Sequence, residues 1–209
     1  MCGRYAFLPE DLGPAMQRVI AALNRSDAEA MARGDVRPGD TPLVLVSEDG
    51  RAVPKVMRWG MPMPEESRLV INARAESAGQ KGMFSGLIRQ NRCLIPAARY
   101  YEWQRTQAHT RMKVEAASEM YMAGLFRRSA DTDAQWECVV LTKQAVGEVA
   151  AVHDRMPLIL PDKASRRAWM QDEHAARALL VNPPEVLCRV QADEPEQMDL
   201  FELIDMLEI

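Results

Sequence analysis

This sequence lacks any apolar run of the ~20 residues that a membrane-spanning helix needs. No signal peptide is read at its start, because residues 1–10 already have the look of folded sequence. Internal repeats, low-complexity tracts and linkers are also missing. Cysteine is sparse: four residues, at 2, 93, 138 and 188, with no C-x-x-C pair. Cys93 and Cys138 sit inside strand-like apolar runs. That pattern argues against a zinc site or a disulfide framework and for buried thiols in a reducing cytoplasm. No metal and no cofactor are expected.

What remains is ordinary globular material, 47% hydrophobic over 209 residues, enough to bury a real core. Net charge is −4, which counts against a nucleic-acid partner until its distribution is read. Residues 1–113 hold 17 Lys/Arg against 12 Asp/Glu, whereas residues 191–209 hold seven acids and no base. An acidic end thus masks a mildly basic first half.

Helical spacing runs over residues 9–33, with shorter helices expected over 83–90, 145–152, 163–170 and 174–180. Strand-like segments are read at 3–7, 43–46, 53–59, 69–71, 93–95, 99–103, 112–116, 120–126, 136–142, 157–160 and 186–190. Strands follow one another with few helical crossovers, so antiparallel pairing should dominate a single α+β domain spanning 1–209. Residues 191–209 form an acidic C-terminal segment for which no role is read.

Cys2 is the residue with the most unusual potential. If Met1 is removed, it carries an α-amine and a thiol on adjacent carbons. The α-amine titrates near ~7.7–8.0, so much of it is unprotonated at neutral pH. Such an aminothiol condenses with an aldehyde and closes a five-membered thiazolidine. On position alone, Cys2 is an ordinary small residue after the start methionine. Other stretches carry similar pairs of readings. Asn72, in Asn72-Ala73-Arg74-Ala75-Glu76, is either a helix N-cap or a polar site group. Glu102, inside Tyr100-Tyr101-Glu102-Trp103, is a solvated acid or a carboxylate placed for proton transfer. His153, before Asp154-Arg155-Met156-Pro157, is a turn-bonded ring or an acid/base. Trp59, in Arg58-Trp59-Gly60, is core packing or a stacking platform for bases.

Together these stretches resemble the SOS-response-associated peptidase (SRAP) family, abasic-site DNA–protein crosslinking proteins. The resemblance runs in order from CGRY at 2–5 through a Pro-containing loop at 37–42, RWG at 58–60, NARAE at 72–76, RCLIPA at 92–97 and YYEW at 100–103 to HDRMP at 153–157. It implies a barrel-like, mainly antiparallel sheet with peripheral helices. It also implies a protein that binds single-stranded DNA, links Cys2 covalently to the ring-opened aldehyde of an abasic site and shields that site in the DNA damage response. By the same resemblance Asn72 orients the opened sugar, and Glu102 handles protons and assists peptidase removal of Met1. His153 serves as acid/base on the sugar, Arg4 and Arg74 hold phosphates, and Trp59 and Pro38 line the strand's path. The protein would act as a monomer, cytoplasmic and nucleoid-associated when bound to DNA, with no membrane partner.

Two positions depart from the pattern. Gly82 stands where a basic residue often precedes Met-Phe, leaving Lys81 one step earlier as the phosphate contact, and Ala98-Arg99 before YYEW is unusual. Two rival functions use the same residues. One is an N-terminal-nucleophile hydrolase, with the Cys2 sulfur attacking an amide or thioester and its own amine as base. The other is a noncovalent single-strand-binding module.

Overall fold

A computed structural model describes residues 2–63, 66–80, 82–104, 110–129 and 135–193. In chain order its strands are β1 (Tyr5–Phe7), β2 (Gly34–Val36), β3 (Leu43–Glu48), β4 (Arg51–Val56), β5 (Arg58–Trp59), β6 (Met61–Met63), β7 (Glu66–Val70), β8 (Asn72–Arg74), β9 (Arg92–Ala97), β10 (Arg99–Trp103), β11 (Arg111–Ala116), β12 (Met120–Arg128), β13 (Trp136–Gln144), β14 (Arg155–Pro157) and β15 (Cys188–Ala192). The helices are α1 (Gly13–Ala21), α2 (Arg25–Ala30), α3 (Ala75–Ala78), α4 (Gly82–Ser85), α5 (Leu87–Gln90), α6 (Gly147–Ala150), α7 (Lys163–Gln171) and α8 (Glu173–Val181).

Two sheets carry the fold. One has the order β15-β11-β10-β1-β2, and the other β14-β13-β12-β9-β3-β4, with β5 and β8 also paired to β13. The β6–β7 hairpin stands apart. Alternation along the strands sorts the side chains into two cores. Tyr5, Tyr100 and Val114 from the first sheet meet Val44, Cys93, Ile95 and Val140 from the second. On the other face of the second sheet, Leu94, Leu125, Val139 and Leu141 pack against Ile88, Trp169 and Leu180 of the helices. The second sheet is therefore buried on both faces, and for that reason Cys138, Val139, Val140 and Leu141 of β13 are all fully buried and do not alternate with polar residues. The result is an α+β domain of two sheets and a helical layer; the described strands close no barrel.

The expected antiparallel pairing holds for most of the ladders, but β5 and β8 run parallel to β13. The predicted 9–33 helix is three pieces. A 3-10 turn (Pro9–Leu12) precedes α1, which restarts at Gly13-Pro14, and Asn24 caps α2 by accepting from the Asp27 amide at 2.8 Å. The segment expected as one strand over 53–59 breaks at Met57 into β4 and β5. β12 and β13 pair from Gly124 to Arg128 and then splay. The chain after β14 fills the gap, with Leu158 donating to Leu141 O and Ala123 donating to Leu158 O, both at 2.8 Å. Among the described residues no helix is long and apolar enough to cross a membrane.

Gly124 sits at the tightest point of this sheet. A Cβ there would meet the Cys93 Sγ at 2.8 Å, the Ile95 Cδ1 at 2.9 Å and the Val139 carbonyl at 3.0 Å. Gly124→Ala should therefore cost about 1–3 kcal/mol, read as a lowered urea midpoint. Gly86→Ala, with open space around it, should leave the midpoint near wild type. Equal midpoints for the two variants would contradict the packing described.

Candidate active site

β1 enters the molecule between β10 and β2, with Tyr5 opposite Tyr100 on one side and Val36 on the other. The ladder continues towards the N-terminus, since Tyr101 donates to the Arg4 carbonyl at 2.9 Å. Residue 2 is thereby carried into the core, where Cys2 has no exposed surface. Its Sγ lies 3.9 Å from the Arg4 carbonyl oxygen.

Asn72 meets it from the second sheet. Its Nδ2 donates to the Cys2 carbonyl at 2.8 Å, while the buried Oδ1 has no hydrogen-bond partner among the described residues. The N-cap reading of Asn72 does not hold: Asn72 opens β8, and α3 begins three residues later behind Arg74, with no side-chain cap. β8 is positioned by its parallel pairing with β13, Asn72 opposite Val140. Below it, the Trp59 indole donates to the Ile71 carbonyl at 3.0 Å and its ring packs on Tyr5, centroids 5.3 Å apart. Trp59 is 1% exposed, so the core-packing reading describes its present place.

Glu102 is buried at 3% exposure on the same face of β10 as Tyr100. Its charge is felt at the Cys2 thiol. Burial pushes the Cys2 thiol far above its ordinary value and the Glu102 charge adds to that, outweighing the lowering by the Arg4 carbonyl contact. The hydroxyls of Tyr5 and Tyr100 are also buried without a partner among the described residues.

His153 is joined less directly. Its Nδ1 accepts from the Arg155 amide at 2.9 Å, and the Asp154 Oδ1 also lies 2.9 Å from the same nitrogen. Both contacts cannot hold for one protonation state. The amide N–H has a fixed direction, whereas the Asp154 side chain is 70% exposed. In the amide contact Nδ1 is the acceptor nitrogen of the ring. Arg155 then ties this turn to the β8–α3 segment. It grips Glu76 through two bonds of 2.8 and 2.9 Å and donates to the Thr142 carbonyl at 2.6 Å. Glu76 and Arg155 stand in two of the motifs, but no sequence signal pairs residues 79 positions apart.

Arg4 is partly exposed, 3.6 Å from Asp35, and Arg74 is exposed. Pro38 is exposed on a turn held to Trp59 by Gly39 N to Trp59 O and Trp59 N to Asp40 O, both 2.8 Å. Met1 and Lys81 lie outside the described residues. Among those described, no group of three His, Cys, Asp or Glu side chains is placed to hold a metal ion. A cavity of 680 Å³ opens between Glu115, Val146, Glu148 and Leu187, and none of the site residues lines it.

The profile of the family described as SOS response associated peptidase (SRAP) matches residues 1–194. Abasic site processing protein YobE of Bacillus subtilis (strain 168) is 25% identical, over 100% of this chain and 98% of its own length. Abasic site processing protein YedK of Escherichia coli (strain K12) is 28% identical, over 83% and 81%. Among solved structures, a phage-related protein of Bordetella bronchiseptica superposes with a TM-score of 0.69 at 24% identity, covering 92% of this chain and 95% of its own. A second protein of the same species gives 0.70 at 23%, over 91% and 99%.

Two outcomes test this geometry. Cys188 is partly exposed with its thiol raised to about 11, whereas burial holds Cys138 at about 12 and Cys2 and Cys93 higher still. In protein that retains Met1, a thiol reagent at pH 8 should modify Cys188 first and the other three only on unfolding, as followed by peptide mass mapping. Rapid labelling of Cys2 in the folded protein would contradict its burial. The Glu76 carboxyl is held below its ordinary value, chiefly by the Arg155 hydrogen bonds. Its contribution is present above the unfolded carboxyl's ~4.3 and lost as pH falls through the lower folded value. Glu76→Gln should cost up to about 1 kcal/mol at pH 7, and the gap to wild type should close in acid. A gap that widens in acid would refute the pairing.

Proposed function

The chain belongs to the SOS response associated peptidase (SRAP) family, and on that premise we propose that it captures abasic sites in single-stranded DNA through a covalent link to Cys2. One observation carries the reading: a buried residue 2 whose carbonyl is held by Asn72 at 2.8 Å beside a buried Glu102.

The chemistry follows from the thiol. Thiolate, not thiol, is the sulfur nucleophile, and burial beside Glu102 keeps the Cys2 sulfur protonated. The α-amine, freed when the Met1–Cys2 peptide bond is hydrolysed, therefore attacks first. Its nitrogen adds to the aldehyde carbon of the opened sugar, and loss of water from the resulting carbinolamine leaves an imine. The S–H then adds across C=N: the S–C bond forms, the π pair goes to nitrogen, and the thiol proton follows it. Glu102 is the group to ferry these protons and to assist hydrolysis of Met1. Asn72 Oδ1 is an acceptor for a sugar hydroxyl, and His153 an acid/base on the sugar oxygen. Arg4 and Arg74 hold phosphates, with Lys81 as a further contact. Pro38 lies against the strand, over the buried Trp59. The working unit is a monomer in the cytoplasm. The hydrolase alternative needs an activated thiolate, opposite in direction to the raised Cys2 thiol.

The test uses protein with a processed N-terminus, a single-stranded oligonucleotide with one abasic site, and a denaturing gel. A covalent band should form, disappear in Cys2→Ala and be absent with an intact strand. Glu102→Gln should slow it by about 100-fold or more and Asn72→Ala by roughly ten-fold. His153→Ala should slow formation or reversal. No band from correctly processed wild type would sink the proposal.

A further inference from the structure

Among the described residues four large apolar side chains are exposed, and three of them, Val146, Val181 and Leu187, gather in one place. Apolar side chains scattered singly over a surface are normal, whereas a cluster rimmed by polar groups is the composition of an interaction site. Val146 and Leu187 border the cavity of 680 Å³, and Val181 borders a second hollow of 220 Å³. Val146 and Glu185 line both, so the two hollows form one groove. The larger falls within the about 300–1,000 Å³ typical of ligand pockets. Cys2, Asn72, Glu102 and His153 line neither.

The groove is built on fixed chain. Leu187 is 84% exposed, yet its carbonyl accepts from the Ala117 amide at 3.0 Å, which ties it to the end of β11. Three residues earlier, the Pro184 carbonyl accepts from the Lys143 ammonium at 2.7 Å. β15 is an edge strand, and the Glu148 carboxylate takes its Val190 amide at 2.8 Å. That amide is one a further strand would use, so a partner engages the groove through side chains.

The rim is acidic. Glu148 and Glu185, both exposed, share the wall of the larger cavity with Leu187, against a single guanidinium, that of Arg189. A third acid on this wall, Glu115, is drawn to Arg99 and Lys113 at 3.6 and 3.7 Å. Carboxylates over an apolar floor favour an apolar ligand that carries positive charge. A second copy of the chain, docked about a two-fold axis, would bring the same acids face to face. The chain's own residues 191–209, with seven acids and no base, carry the same sign as the rim.

We propose that this groove is a docking site for a protein partner, which inserts apolar side chains between Val146 and Leu187 and sets flanking lysines or arginines on Glu148 and Glu185. The inference is independent of the reaction at Cys2 and holds whether or not that reaction occurs.

The experiment uses the full chain and a fluorescein-labelled peptide, Lys-Arg-Ser-Leu-Leu-Ser-Arg-Lys, followed by anisotropy. One control peptide replaces the leucines with serine, and another replaces the four cations with glutamate. The parent peptide should bind about ten-fold tighter than either control. Leu187→Ser, at a position already open to solvent, should weaken it about ten-fold, and Glu185→Gln about three-fold. Saturating peptide should also slow thiol modification of Cys188, which lines the cavity. No binding, equal affinity for the serine control, unchanged affinity in Leu187→Ser or an unchanged rate at Cys188 each overturns the inference. So does self-association in sedimentation that Leu187→Ser abolishes, because the groove then holds a second copy.

Discussion

A chain terminus frays unless something holds it, and the site here depends on residue 2 being held. Three contacts do this. β1 is hydrogen-bonded on both edges, Tyr101 extends the ladder to the Arg4 carbonyl, and Asn72 takes the Cys2 carbonyl from the opposite sheet. The last of these links the two sheets across their shared core. Without it Cys2 would sit on a free end, with its amine and sulfur sweeping through many orientations. Fixing the carbonyl restrains the Cys2 backbone against β8, which on the proposed chemistry would turn an encounter into a positioned reaction.

Burial has a second consequence, which is electrostatic. The environment that orders Cys2 also keeps its sulfur neutral, and the Glu102 charge reinforces that. In water a 1,2-aminothiol offers two nucleophiles of similar readiness. On the proposed chemistry the sulfur would be held back until an imine carbon is directly beside it, and desolvation would set the order of bond formation. A fully exposed thiol would meet oxidants and stray electrophiles first. On that proposal one physical term would account for both protection and sequence of steps.

Much of this was legible in the sequence, and what was not has identifiable causes. The strands and helices were readable where apolar runs were long. β12, β13, α7 and α8 fall close to their expected places, with Asp162 and Asp172 capping the two helices. The parallel pairing of β5 and β8 with β13 was not readable, because strands of two and three residues carry no period. Candidate site residues could be named from the motifs, but their contacts could not. Asn72 looked like a cap because a polar residue before Ala-Arg-Ala-Glu has the same appearance in either role. Trp59 carried two readings in sequence, and only its packing against Tyr5 distinguishes them. Lys81 and Met1 fall outside the described residues.

That outcome says something about what a motif records. Asn72 bonds to Cys2 directly, and the Glu102 charge pushes its thiol up. Trp59, Glu76 and Arg155 come from the same motifs yet work one layer back. Trp59 supports Tyr5 and holds Ile71, the residue before Asn72. Arg155 clamps Glu76 and the Thr142 carbonyl, so the turn bearing His153 and the strand bearing Asn72 are braced against the same stretch of β13. Distances between reacting groups tolerate little slack, since a displacement of about 1 Å costs orders of magnitude in rate. A site assembled from two sheets and a chain end therefore needs such braces as much as it needs its reacting groups. Short motifs spread over 150 residues are what this requirement looks like when written along a chain.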